Sequence, residues 1–366
     1  MRVLVTGSSG FVGVALVREM AGRCERVAGF SRKPGSDSLH GDLLDLESVR
    51  SALNTFKPDV VVNLAGQTAL KGAPRDGYAA NTVGVKNLVT AVAESSAVKR
   101  VIWMSSQLIG RPGVAPRYDT EYDPVDDYGR SKVEGEQIVR QFDGGGKEWV
   151  MPRSTTIWGP GMSEHYAGML RLIERGLYFH IGRRPRRKSY SYIENLTRQL
   201  AALVGAEPGL VNRKTLYLAD SEPIELRDWT SQFAEEFGRS PPTIPISAAR
   251  AIGLVGDALA KAGLPAPVTS RRLANMAAEY IYDTGPIERI AGPSPVSNRE
   301  GVRRTALWYR QHKASVERDN AVLGPATEIW ESGWVKRPLE TRPATSGPEQ
   351  ADGAAFAGSP SPHNHL

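Results

Sequence analysis

The opening of the chain constrains its fold more than any other stretch. A short apolar run at residues 2–5 breaks into Thr6-Gly7-Ser8-Ser9-Gly10-Phe11-Val12-Gly13, and residues 11–20 follow with helical spacing. Glycines three residues apart, between a strand and a helix, have a specific physical use. One permits the tight turn, one lets backbone amides approach an anion at the positive helix end, and one allows helix and strand to pack closely. The expectation is a dinucleotide site whose pyrophosphate meets Gly7, Ser9, Gly10, Phe11, Val12 and Gly13. A glycine-rich turn with no ligand is the alternative, and its place between strand and helix favours the first reading.

The alternation continues. Residues 26–30, 58–64 (PDVVVNL) and 100–104 (RVIWM) are apolar runs bounded by turn residues, as strands buried on both faces should be. Residues 81–97 are helical in pattern. Strands alternating with helices imply the α/β class, a Rossmann-type doubly wound parallel sheet with right-handed crossovers. A length of 366 residues allows two domains at about 150 residues each. We expect a dinucleotide-binding domain over residues 1–152, with a returning segment at about 186–220. A smaller C-terminal α/β substrate domain is expected from 153–185 and 221–337. Residues 338–366 are rich in Pro, Ser, Ala, Gly and charge, and are expected to be disordered.

Composition narrows the function classes. A single cysteine, Cys24, excludes an internal disulfide and a cysteine-based metal cage, and no metal is expected. Apolar content of 40% and charged content of 23% describe a globular chain. No stretch approaches the ~18 uninterrupted apolar residues of a membrane span. The N-terminal MRVLVTG reads as a strand and not a leader. A cytoplasmic location and no membrane partner are therefore expected. The formal charge is +6 and the isoelectric point about 9.3. Much of the excess lies in Arg183-Arg184-Pro185-Arg186-Arg187-Lys188, without an aromatic stacking platform. That argues against nucleic acid and for a local anion site or a solvated loop.

Two further patterns carry chemistry. Where an acidic residue would accept the ribose 2′-hydroxyl of NAD, this chain has Ser31-Arg32-Lys33. A guanidinium beside a hydroxyl suits a 2′-phosphate, so NADP is favoured over NAD, with an exposed basic turn as the alternative. Tyr128 and Lys132 stand four apart in a helical segment, hence on one face. An ammonium beside a phenol favours phenolate, and such a phenol can exchange a proton with a carbinol oxygen. The run ending at Met104 leads into Ser105-Ser106, at the sheet edge where this fold class places its chemistry.

Together these segments resemble the extended short-chain dehydrogenase/reductase family, in its nucleotide-sugar epimerase, dehydratase and reductase branch. The resemblance spans about residues 1–313: TGSSGFVG at 6–13, GDLLD at 41–45, VVNLAG at 61–66, the helix with Asn81, and MSS at 104–106. It continues through YGRSK at 128–132, MPRSTTIWGPG at 151–161, SYSYIENL at 189–196 and EGVRRTALWYR at 300–310. It implies Ser106, Tyr128 and Lys132 as the catalytic triad, with Ser105 as the other candidate serine. It also implies cofactor contacts from Asp42, Leu43, Leu64, Ala65, Gly66 and Asn81. Arg153 and Lys188 would face the substrate, Lys188 at its diphosphate, while Trp158 could line the cleft or pack. Gln107-Leu108 stand where dehydratases carry Asp-Glu, which argues against dehydration. The resemblance therefore implies hydride transfer at a sugar carbon of a nucleotide diphosphate sugar, as 4-ketoreductase or 4-epimerase in polysaccharide biosynthesis. It also implies a homodimer through helices 81–97 and 128–141. A hydrophobic ketone substrate, or a non-catalytic NADP sensor, are the competing readings.

Overall fold

The computed structural model describes residues 1–323, apart from 34–37, 69–74, 112, 115, 163, 265 and 267. The tail expected at 338–366 lies outside the described residues. Strand and helix alternate at first: β1 (Arg2–Thr6), α1 (Phe11–Met20), β2 (Arg26–Ser31), β3 (Ser38–His40), α2 (Leu46–Phe56), β4 (Val60–Asn63), α3 (Val83–Glu94) and β5 (Arg100–Trp103). Then come β6 (Ser105–Ser106), α4 (Asp127–Gln141), β7 (Glu148–Ser154), β8 (Thr156–Trp158), α5 (Glu164–Glu174), β9 (His180–Ile181), β10 (Arg187–Lys188), β11 (Tyr190–Tyr192) and α6 (Ile193–Gly205). The remainder is β12 (Lys214–Leu218), β13 (Ile224–Glu225), α7 (Leu226–Glu236), β14 (Thr243–Ile244), α8 (Ile246–Lys261), α9 (Ser270–Ala277), α10 (Gly285–Ala291) and α11 (Asn298–Leu323).

The main sheet runs β12-β7-β5-β4-β1-β2-β3, with β6 also pairing to β7, and its pairings are parallel. The order turns back at β1, between β4 and β2. Chain crossovers leave in opposite directions there and open a crevice beyond the strand ends. Alternate residues of the central strands serve opposite faces. Leu4, Val61 and Val101 pack with α2 and α3 through Leu53, Phe56 and Leu88. Val3, Val5, Val62 and Ile102 pack with α1 and α6 through Leu16, Leu196 and Leu200. This two-sided cover is why those strands read as unbroken apolar runs.

A third cluster lies C-terminal to β7. Trp158 is fully buried and meets Tyr192, Trp229 and Phe233 edge-on at 5.0, 5.2 and 6.0 Å. Gly301 lets α11 rest on it, since a Cβ there would stand 2.8 Å from the indole. Packing, and not cleft lining, is therefore the role of Trp158. Among the described residues no helix is long and apolar enough to cross a membrane, and no cluster of His, Cys, Asp and Glu could hold a metal ion.

Candidate active site

The glycine turn stands where β1 and β4 end together. Gly7 has φ +67°, and a Cβ on it would lie 2.7 Å from the Ala65 backbone. A Cβ on Gly13 would lie 2.2 Å from the Gly7 carbonyl oxygen. Both positions therefore demand glycine. Helix α1 begins after Gly10. The Gly10 amide donates to the Gly7 carbonyl (3.0 Å), no side chain caps the helix, and the helix dipole favours an anion at its start. This cradle fits the pyrophosphate of a dinucleotide. The Thr6 hydroxyl donates to Asn63 Oδ1 (2.6 Å) and accepts from the Ala65 amide (3.2 Å), tying the two strand ends together.

The loop after β4 carries Leu64, Ala65 and Gly66, and Asn81 holds it. Asn81 Oδ1 accepts from the Gln67 amide (2.9 Å), while Nδ2 donates to the Gln67 carbonyl (3.0 Å) and to Ser131 Oγ on α4 (2.9 Å). At the far side, the Asp42 carboxylate accepts from the Leu44 amide (3.0 Å), and buried Leu43 has its carbonyl held by Asn87 Nδ2 (2.9 Å). Ser31 Oγ donates to the Lys33 carbonyl (2.7 Å), whereas Arg32 is exposed.

Asp126 caps α4 by accepting from the Gly129 amide (2.6 Å), and this sets Tyr128 and Lys132 one turn apart. The two serines of β6 have different partners. Ser105 Oγ donates to Glu136 Oε1 (2.6 Å), while the Ser106 hydroxyl accepts from the Leu108 amide (3.2 Å) and lies on the side of the Tyr128 phenol, which it draws down. Successive strand residues point to opposite sides, so only one serine can face the tyrosine. Ser106 is the one on the tyrosine's side.

The electrostatics differ from expectation. Burial pushes the Tyr128 phenol up to about 12, against the lowering effect of Ser106. Burial brings Lys132 down to about 8, against the raising effect of Glu136. Lys132 Nζ donates to the Met104 carbonyl (3.1 Å), and is not among the groups acting on Tyr128. The expected lowering of the tyrosine by the lysine does not show: Lys132 exerts none here, and desolvation is the largest influence on the phenol.

Two substrate assignments also need correction. Arg153 is fully buried and clamps Glu136, with Nε to Oε1 at 2.9 Å and a terminal nitrogen to Oε2 at 2.8 Å. It also donates to the Asp119 carbonyl. A guanidinium so committed is a structural strut between β7 and α4. Lys188 is 3% exposed, donates from Nζ to the Asn275 carbonyl (2.7 Å) and sits 4.7 Å from the Tyr280 ring centre. Burial, then neighbouring Arg186, brings it down to about 8. It is not a free cation. The residue missed from sequence was Glu136, which holds Ser105, Arg153 and the Tyr122 hydroxyl (3.1 Å) at once. Its signal was present: it stands four residues after Lys132, on the face already occupied by Tyr128 and Lys132.

Residues 3–203 match the profile of the NAD dependent epimerase/dehydratase family. A 2-alkyl-3-oxoalkanoate reductase of Stenotrophomonas maltophilia is 25% identical over 327 residues, covering 83% of this chain and 98% of that protein. A 3 beta-hydroxysteroid dehydrogenase/Delta 5-->4-isomerase of Mycobacterium tuberculosis is 28% identical over 267 residues, covering 67% and 72%. The fold is also that of Thermus thermophilus UDP-glucose 4-epimerase, solved with NAD, at TM-score 0.63 and 20% identity over 85% of this chain and 99% of that one. Fold, glycine cradle and profile agree: the chain belongs to the NAD dependent epimerase/dehydratase family and is an NAD(P)-dependent enzyme of the extended short-chain dehydrogenase/reductase class.

Proposed function

We propose that this enzyme reduces the carbonyl of an apolar ketone, with Tyr128 as proton donor. The observation that carries the reading is the half-buried Tyr128, whose phenol is raised by desolvation and lies beside Ser106 where β6 meets α4. When bound, the nicotinamide supplies the hydride. Ser106 orients the carbonyl oxygen, and Tyr128 delivers a proton to it as charge develops. Lys132, facing the Met104 carbonyl and the Gly66 loop, holds the ribose and recharges the site. A phenol held up at about 12 is protonated at neutral pH, and it can give that proton to the more basic alkoxide that forms when hydride reaches the carbonyl carbon.

The substrate class follows from charge. A nucleotide diphosphate needs free cations, and the one expected to meet it, Lys188, is taken by Asn275 and Tyr280. Similarity to the alkanoate reductase and the steroid dehydrogenase supports an apolar ketone. The nucleotide-sugar reading has one observation in its favour. A cavity of about 380 Å³ is lined by Arg184, Arg186, Arg227 and Arg250. NADP is the proposed cofactor because the end of β2 offers Ser31, Arg32 and Lys33 and no carboxylate. We include in the proposal a substrate domain C-terminal to β7 and a homodimer through α3 and α4, where Val83 is 50% exposed.

Thermal stabilisation tests the whole reading, since a ligand that binds only the folded state raises the melting point. NADP should stabilise more than NAD. In its presence, long-chain or steroid ketones should add to the effect and oxidise NADPH, whereas nucleotide sugars should not. Stabilisation and turnover with a nucleotide sugar instead would overturn the substrate assignment.

A further inference from the structure

Helix α8 is built inside out. Its buried side is small: Ala249, Gly253 and Gly256. A Cβ on Gly256 would stand 1.7 Å from the Val268 carbonyl oxygen, and one on Gly253 2.8 Å from Leu273 Cδ1 on α9. The large apolar side chains face away. Ile252, Val255 and Leu259 are 40%, 61% and 36% exposed, and Leu254 on their flank is 66% exposed. Ile246 at the start and Leu264 just beyond the end are 48% and 54% exposed. Positions 252, 255 and 259 form one stripe at helical spacing, so this is a continuous apolar ridge and not scattered surface leucines.

The border of the ridge is mostly basic. Arg250 and Lys261 on α8 are exposed. Exposed Arg184 and half-buried Arg186 line the same cavity as Ile246, Ala249 and Arg250, which sets the basic run against the first turns of α8. Arg183 and Arg187 of that run are exposed as well. Of the neighbouring acids, exposed Glu279 accepts from the Arg187 amide (3.0 Å), and half-buried Asp257 and Glu225 are engaged by backbone amides. Asp257 accepts from the Ser270 amide (3.1 Å), and Glu225 accepts from the amides of Arg186, Arg227 and Asp228.

We propose that α8 is a membrane-surface element that lays its apolar ridge into the interface of an anionic bilayer. An apolar stripe flanked by arginines and lysine matches that chemistry. The ridge enters the headgroup–acyl boundary while the cations meet acidic headgroups. A second copy of this chain is the poorer occupant, because a two-fold contact would set the same cations against one another. The inference departs from the expectation of no membrane partner, which concerned spanning segments. It stands independently of the substrate assignment.

The test is co-sedimentation of the full-length protein with vesicles, either phosphatidylcholine alone or phosphatidylcholine with about one third phosphatidylserine. Binding should require phosphatidylserine and weaken at least tenfold on raising salt from 50 to 500 mM, as screening shortens the reach of the charges. Val255→Glu with Leu259→Glu should abolish binding while leaving the melting temperature and NADP stabilisation unchanged. Arg183→Glu with Arg187→Glu should weaken it at least tenfold. The proposal fails if the wild-type protein stays in the supernatant, if phosphatidylcholine alone binds it equally, or if the glutamate pair binds like wild type. It also fails if the glutamate pair splits a soluble dimer into monomers, for the ridge would then be a contact between copies.

Discussion

Removing the Glu136 carboxylate should unfold the protein at a lower temperature than any change to a surface ion pair. Arg153, fully buried, gives two hydrogen bonds to that carboxylate, Ser105 gives one at 2.6 Å and Tyr122 one at 3.1 Å. Glu136→Ala leaves a buried guanidinium uncompensated and strands two hydroxyls. Breaking a buried pair from one side costs about 3–5 kcal/mol. At about 2–4 °C per kcal/mol for a chain of this order, 4 kcal/mol lowers the melting temperature by about 8–16 °C. Removing both charges together is different. Glu136→Leu with Arg153→Met takes away the desolvation cost along with the attraction, and should lie within about 2 kcal/mol of wild type. Urea titration monitored by tryptophan fluorescence measures the cycle of wild type, Glu136→Leu, Arg153→Met and the double variant. The same variants should lose turnover more than cofactor affinity, because Glu136 holds β6 against α4 and so aims Ser106 at Tyr128. Equal destabilisation in the single and double variants would refute the buried-pair argument, as would a single-variant cost below about 1 kcal/mol.

Other consequences are equally direct. Tyr128→Phe should cut ketone reduction by about 10²–10⁴-fold while NADP still raises the melting point. With Lys132 held down to about 8, its charge is lost as pH rises through that value. Wild-type reduction should therefore fall between pH 8 and 9, and Lys132→Arg should move that limb upward in a pH–rate profile. Gly13→Ala drives a Cβ to 2.2 Å from the Gly7 carbonyl oxygen and should abolish stabilisation by either dinucleotide. Burial lifts Asp220 from 3.8 to about 7, against hydrogen bonds from Asn195 and the Tyr192 amide. The folded state then holds a proton that the unfolded state has released, so this contribution to stability is present at low pH and fades as pH rises from about 4 to 7. Asp220→Asn should flatten that slope in urea titrations between pH 5 and 8.

Much of this protein was written locally. The strand–glycine–helix opening, the runs VVVN and RVIW, and the Tyr128–Lys132 spacing each depend on residues within one or two turns of each other. Backbone periodicity and the demand for glycine at a positive φ act over that range, so they are legible without a third dimension. Short strands such as β9 and β14, of two residues each, carry too few side chains for a period to show. Side-chain partners were decided by what the tertiary fold brings alongside. Lys188 finds the Asn275 carbonyl 87 residues away, and Arg153 finds Glu136 across the sheet edge. Ser105 and Ser106 are chemically identical, and only the packing of α4 on β6 gives one to Glu136 and the other to Tyr128. Helix α8 shows the same division: its periodicity is local, but which face is covered depended on glycines meeting α9 and the Val268 backbone. Propensity and pattern act through neighbouring residues, whereas burial, and with it the charge state of Tyr128, Lys132 and Lys188, is a property of the assembled chain.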